Sequence, residues 1–143
     1  MASVDAKKYL QQVSKLNKLI ENKMIEKAQW QAMATSTGTF SEGERVQSSG
    51  NQQKMETAVC RCVDIERELD ECIDRYIDTK NEVIRMIEQL PAIDYDVLHK
   101  IYIQGKQLAD VATLYDRAYS WATTVHGRAL KAVQDMLDGR NAE

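Results

Sequence analysis

Apolar residues recur along this chain in steps of three and four, and the pattern lapses only in short stretches. Tyr9, Val13, Leu16, Ile20, Met24, Trp30 and Ala34, with Lys27 as the polar member of the series, fall on one stripe of an α-helix predicted from near Val4 to near Ala34. No Gly or Pro interrupts that run. A second series comprises Met55, Val59, Cys62, Glu66, Leu69, Ile73, Tyr76, Lys80, Val83, Ile87 and Leu90. Its alternating steps of four and three predict a heptad seam on a helix from about Gln53 to Leu90. At about 1.5 Å per residue such a helix spans roughly 55 Å. Pro91 should end it, because the residue before a proline is pushed out of helical conformation.

Between the two helices, residues 35–52 are rich in Ser, Thr and Gly and read as a connecting loop, mobile rather than ligand-binding. Ser48-Ser49-Gly50 lacks the Gly-Lys-Ser/Thr ending of a phosphate-binding loop. After Pro91 the elements shorten. Asp94 or Asp96 is placed to cap a third helix from Tyr95 to about Ile103, with Val97, Leu98, Ile101 and Tyr102 inward and Gly105 as a left-handed stop. Leu108, Val111, Ala112 and Leu114 form a short fourth helix, and Tyr115–Ala118 form the turn after it. A last helix to about Leu137 carries Ala118, Ala122, Val125, Ala129, Val133 and Met136 as its inward stripe. The fold class is therefore all-α. A long antiparallel, coiled-coil-like hairpin over residues 1–90 precedes a small helix-turn-helix domain over residues 91–143.

Charge is unevenly distributed. Net charge is −3 in 143 residues, yet residues 1–34 hold six lysines against three acids and residues 55–90 hold five basic residues against ten acids. Those signs favour the two long helices lying side by side. Two narrow stripes are difficult to bury in one hairpin, so a second copy is expected to complete a four-helix arrangement. The seam residues Val59, Cys62, Leu69, Ile73, Tyr76, Val83 and Ile87 are the candidates for oligomerisation.

The same composition argues against other classes. No segment approaches the roughly 18 consecutive apolar residues of a membrane span. Residues 1–10 lack the apolar core of a signal peptide, so a cytoplasmic protein is expected. Cys60, Cys62 and Cys72 lack metal-ligand spacing and read as reduced packing residues. No nucleophile–base pair, metal cluster or phosphate-cradling loop stands out. No enzyme activity and no cofactor or metal is expected. His99 and His126 read as packing or surface residues, and acid pairs such as Asp70-Glu71 as solvated surface.

The C-terminal unit resembles region 4 of sigma-70-type factors through Leu108-Ala-Asp-Val-Ala112 and Gly127-Arg-Ala-Leu130. With Val46-Gln-Ser-Ser49, Ile87-Glu-Gln-Leu-Pro91 and His126-Gly-Arg-Ala-Leu130 in that order, nearly the whole chain resembles a narrower group. These are ArpU/RinA-like late-gene transcription regulators of phages and prophages. The resemblance implies a DNA-binding regulator acting in a bacterial host, as a homodimer on promoter or operator DNA, with RNA polymerase as a further partner. It implies a recognition helix over Ala118–Leu137. Tyr119, Ser120, Thr123 and Thr124 would face base edges, where Ser and Thr can bond several bases. Gly127 would permit close backbone approach. Lys106, Arg117, Arg128 and Lys131 would contact phosphate. Sigma factors typically carry Arg or Lys on the face where this chain has Tyr119, Ser120, Trp121 and Thr123. Two alternatives therefore stand beside this reading: a non-enzymatic module that binds a host or phage protein, and a small terminase subunit.

Overall fold

A computed structural model describes residues 5–36 and 48–141. It is all-α: a long antiparallel hairpin is followed by three shorter helices that pack together. Helix α1 is Ala6–Ser36 and helix α2 is Ser48–Ile87. Helix α3, Ala92–Leu98, continues without a break into a wider π-helical turn, His99–Ile103. Helix α4 is Leu108–Leu114 and helix α5 is Tyr119–Asn141. No helix among the described residues is long and apolar enough to cross a membrane.

Two boundaries of α2 differ from the sequence reading. Residues 48–52 belong to the helix rather than to the loop. Ser, Gly and Asn are mediocre to poor helix formers, but a turn added to a helix already nucleated downstream needs no apolar face. Residues 35 and 36 likewise belong to α1 rather than to the loop, and the remainder, residues 37–47, lies outside the described residues. At the other end α2 stops at Ile87, three residues before Leu90. A proline inside a helix clashes with the carbonyl four residues back, and for Pro91 that carbonyl belongs to Ile87. The chain then tightens: the Gln89 N–H donates to the Met86 carbonyl at 3.2 Å and that of Leu90 to the Ile87 carbonyl at 3.0 Å. Gly105 ends the third helix in the left-handed region at φ +76, as its position in the sequence suggests.

The hairpin seam is the expected heptad seam turned by one residue at every second position. Cys62, Leu69, Tyr76 and Val83 lie inward or half-inward, but Ala58, Ile65 and Cys72 are buried where the sequence reading placed Val59, Glu66 and Ile73. Val59 is 49% exposed and Ile73 38%. On α1 the stripe runs through Lys23 instead of Met24, which is 58% exposed. The polar residues that interrupt the two apolar series now have partners. The Lys27 ammonium lies 3.1 Å from the Glu66 carboxylate, and the Lys23 ammonium 2.8 Å from that of Glu68. The Lys80 ammonium sits 5.4 Å from the centre of the Tyr76 ring. The stems of Lys23 and Lys27 cover apolar surface while their heads reach the rim.

The chain forms two compact units, Met1–Leu16 with Tyr76–Glu143, and Asn17–Arg75. The sequence-based division falls at Pro91; the compact units divide elsewhere, because the first helix's opening turns belong with the C-terminal helices. In the first unit Ala6, Tyr9, Leu10 and Val13 of α1 join Val83, Met86 and Ile87 of α2, Leu98 and Tyr102, and Ala129, Val133 and Leu137 of α5 in one core. The Ala6 N–H, left without a partner at the start of α1, donates to Gln134 Oε1 at 2.8 Å. In the second unit Ala58, Ile65, Leu69 and Cys72 are the buried residues.

Candidate nucleic-acid interface

The C-terminal helices build their surface from a small core upward. Val97 of α3, Val111 of α4 and Val125 of α5 meet at its centre, with Ile101, Tyr115 and Trp121 packed around them. Ala112 and Ala122 are also buried. The short α4 is started by Gln107, whose N–H donates to the Asp110 carboxylate at 3.4 Å, one arm of a capping box. The turn between α4 and α5 is closed by Asp116 at φ +53, a conformation that Asp tolerates better than most residues. The Arg117 N–H donates back to the Ala112 carbonyl at 2.9 Å. Trp121 is a core-edge residue: its ring lies 5.0 Å from that of Tyr115 and under the Arg117 guanidinium at 5.8 Å.

Two carboxylates fix the relative placement of these helices, and neither acts as a helix cap. Pro91 occupies the cap position of α3, so Asp94 falls within the first turn. Asp94 is 3% exposed and receives two hydrogen bonds from Arg128 of α5, from Nε at 3.2 Å and from Nη2 at 2.5 Å. Asp96 accepts from the Lys100 ammonium at 2.7 Å and from the Tyr115 hydroxyl. Burial opposes ionisation of Asp96, but these two donors outweigh it and hold its carboxyl below the usual range. Burial and that same carboxylate push the Tyr115 hydroxyl up to about 12.

Against this frame the expected contact residues separate into three groups. Tyr119, Ser120, Thr123 and Thr124 are all exposed on the first two turns of α5, and Tyr119 is 57% exposed. The Thr123 and Thr124 hydroxyls both donate to the Ser120 carbonyl, at 2.8 and 2.9 Å, which orients the oxygens and leaves their lone pairs outward. Gly127 extends this face, and a Cβ placed on it would meet nothing within 4 Å. Among the four expected phosphate contacts, Arg128 is occupied by Asp94 and Arg117 by the Trp121 ring. Lys106 and Lys131 have no ion-pair partner among the described residues.

The structure also adds residues that the sequence reading passed over. Lys106 and Tyr119 share a groove of about 350 Å³ with Lys7 and Gln11 of α1, Tyr102 of the π-turn and His126 of α5. Tyr102 Oη and His126 Nε2 are joined by a hydrogen bond of 2.7 Å, with the two rings stacked. Burial, and then the nearby Lys7 charge, pull the His126 imidazole below its usual 6.5, whereas burial pushes the Tyr102 hydroxyl up to about 12. Lys7 lies 101 positions before the start of α4, and no spacing rule links them. The one available signal was the lysine excess at the start of α1.

Of the expected oligomerisation residues, Leu69, Val83 and Ile87 are buried within the chain itself, and Cys62 and Tyr76 are half-buried. Val59 and Ile73 remain exposed. Cys72 is buried in the hairpin as a packing residue. Comparison with known protein families, with curated proteins and with solved structures finds no match for this chain.

Proposed function

We propose that this protein is a DNA-binding transcription regulator of the phage late-gene type, acting as an oligomer in the cytoplasm of a bacterial host. One observation carries the reading. The first two turns of α5 offer a face of Tyr119, Ser120, Thr123, Thr124 and bare Gly127 backbone, while Trp121, Ala122 and Val125 anchor the opposite face. That is the division of labour of a recognition helix in a major groove, with α4 positioned behind it. Hydroxyl and phenol groups can bond base edges, and a threonine methyl can touch that of thymine. With Arg128 and Arg117 engaged inside the chain, phosphate contact falls to Lys106 and Lys131 on each copy. Two copies double that number, so binding strength depends on assembly. The outward Val59 and Ile73 are the residues of the predicted seam still available for it. The test is a comparison of the wild type with a Tyr119→Ala/Thr123→Ala variant on DNA flanking its own gene. The variant is expected to bind that DNA no better than a random duplex while keeping its solution mass.

A second reading, a module that binds another protein, is supported by a different observation. Leu19, Met24, Ile25, Val59, Val63 and Ile73 are exposed apolar residues of the Asn17–Arg75 unit. Exposed apolar residues on such a hairpin suit a partner helix. RNA polymerase or another regulator would then be the target, and DNA binding would be absent.

A further inference from the structure

The groove between the start of α1 and the helix-turn-helix has the makings of a phosphate site. Lys7, Gln11, Tyr102, Lys106, Gln107, Tyr119 and His126 are its polar lining residues, and no carboxylate lines it among the described residues. Lys7 and Lys106 approach it from different elements, and neither ammonium has an ion-pair partner among the described residues. The nearest acid in sequence, Asp5, accepts the Lys7 backbone N–H at 2.8 Å. Gln11 and Tyr119 add neutral donors, and α5 opens at Tyr119, so the positive end of a long helix adds to the field. At about 350 Å³ the groove lies at the small end of ligand pockets, roughly 300–1,000 Å³. The floor is held in place by the Tyr102–His126 hydrogen bond. Two ammonium groups without ion-pair partners on a concave surface with neutral donors favour an anion, and Asp5, whose charge reaches Tyr102, is the one acid that opposes it among the described residues.

We infer that this groove binds a phosphate group, clamped between Lys7 of α1 and Lys106 beside Tyr119. The phosphate is either a free phosphate ester or a phosphodiester of duplex DNA. The second source rests on the nucleic-acid reading above; the first does not. With DNA as the source, the long hairpin helix becomes part of the contact surface. A backbone phosphate held beside Tyr119 then sets the register in which α5 meets the bases.

His126 is a built-in reporter, because the chain has only one other histidine, His99, which pairs with Gln104 outside the groove. The experiment follows both imidazole rings of the full chain by NMR at constant pH. The probes are inorganic phosphate and, separately, a short duplex from DNA flanking the gene. Phosphate is expected to shift the His126 signals in a saturable way and to leave those of His99 in place. Lys7→Ala combined with Lys106→Ala is expected to weaken that response at least tenfold, with an unchanged fold shown by the remaining spectrum. With the duplex, Lys7→Ala alone is expected to reduce the salt slope of binding by about 1. A response to the duplex but not to inorganic phosphate, lost in the double variant, also supports the site and assigns its ligand to the DNA backbone. A response to phosphate with no duplex binding keeps the site, assigns a free phosphate ester and removes the nucleic-acid reading. If neither probe shifts His126, or if the shift survives loss of both lysines, the site is refuted. Duplex binding with Lys7→Ala unchanged and His126 silent refutes the site and leaves the nucleic-acid reading standing.

Discussion

Single side chains decide what the C-terminal surface can offer. Arg128 reads from the sequence as a phosphate contact, yet a buried carboxylate thirty-four residues earlier claims it. No local pattern announces that pairing, since Asp94 sits where a helix cap is expected. Gly127 lies inside α5, where a glycine weakens a helix. Gly127→Ala is expected to raise stability by about 1 kcal/mol, since the added methyl meets nothing. If the bare backbone approaches DNA, the same change weakens binding, and thermal unfolding with a binding titration separates the two effects. His126 gives a pH dependence. Burial and Lys7 hold its folded pKa below 6.5, so between those values the unfolded chain binds the proton more readily. Its contribution to stability is complete above pH 6.5 and is lost as pH falls through the folded value. Urea midpoints are expected to decline in that window for the wild type and to decline less for His126→Gln.

At the scale of elements, helix number, order and the stop at Gly105 follow from period and punctuation. The exact face of each long helix does not. Two apolar positions one residue apart, such as Ala58 and Val59 or Cys72 and Ile73, satisfy a heptad equally well. The fold buries the smaller of each pair, which lets α1 and α2 approach closely and sends the larger residues outward. Glu66 and Lys27 look like errors in their stripes when each helix is read alone, and become a pair when the hairpin closes. The two halves of the seam should therefore respond differently. Leu69→Ala is expected to cost about 2–4 kcal/mol, as for a buried leucine in a fitted core. Ile73→Ala is expected to leave chain stability within about 0.5 kcal/mol, as for an exposed position, while lowering the solution mass at a given concentration. Chemical denaturation and light scattering on both variants check this. Equal loss of stability from the two changes would place Ile73 in the core.

For the whole molecule, the sequence separates a hairpin from a terminal domain, whereas compactness assigns the ends of the hairpin to the C-terminal helices. The cause is the core that α1 and α5 share through Leu10, Val13, Ala129 and Val133, contacts between residues too distant in sequence for periodicity to connect. The same closure brings Lys7 to Tyr119. If the proposed regulator reading holds, DNA contact relies on few unpaired cations and on copy number, and the affinity of one chain is expected to be modest and salt-dependent. The most direct measurement is a salt titration of binding to DNA flanking its own gene, against a random duplex of equal length. The account predicts preferential binding to the flanking DNA that weakens linearly in log–log form with salt, with preference lost in Tyr119→Ala/Thr123→Ala. Equal binding to both duplexes, or none to either, would contradict it and turn attention to the exposed apolar residues of the hairpin as a protein-binding surface.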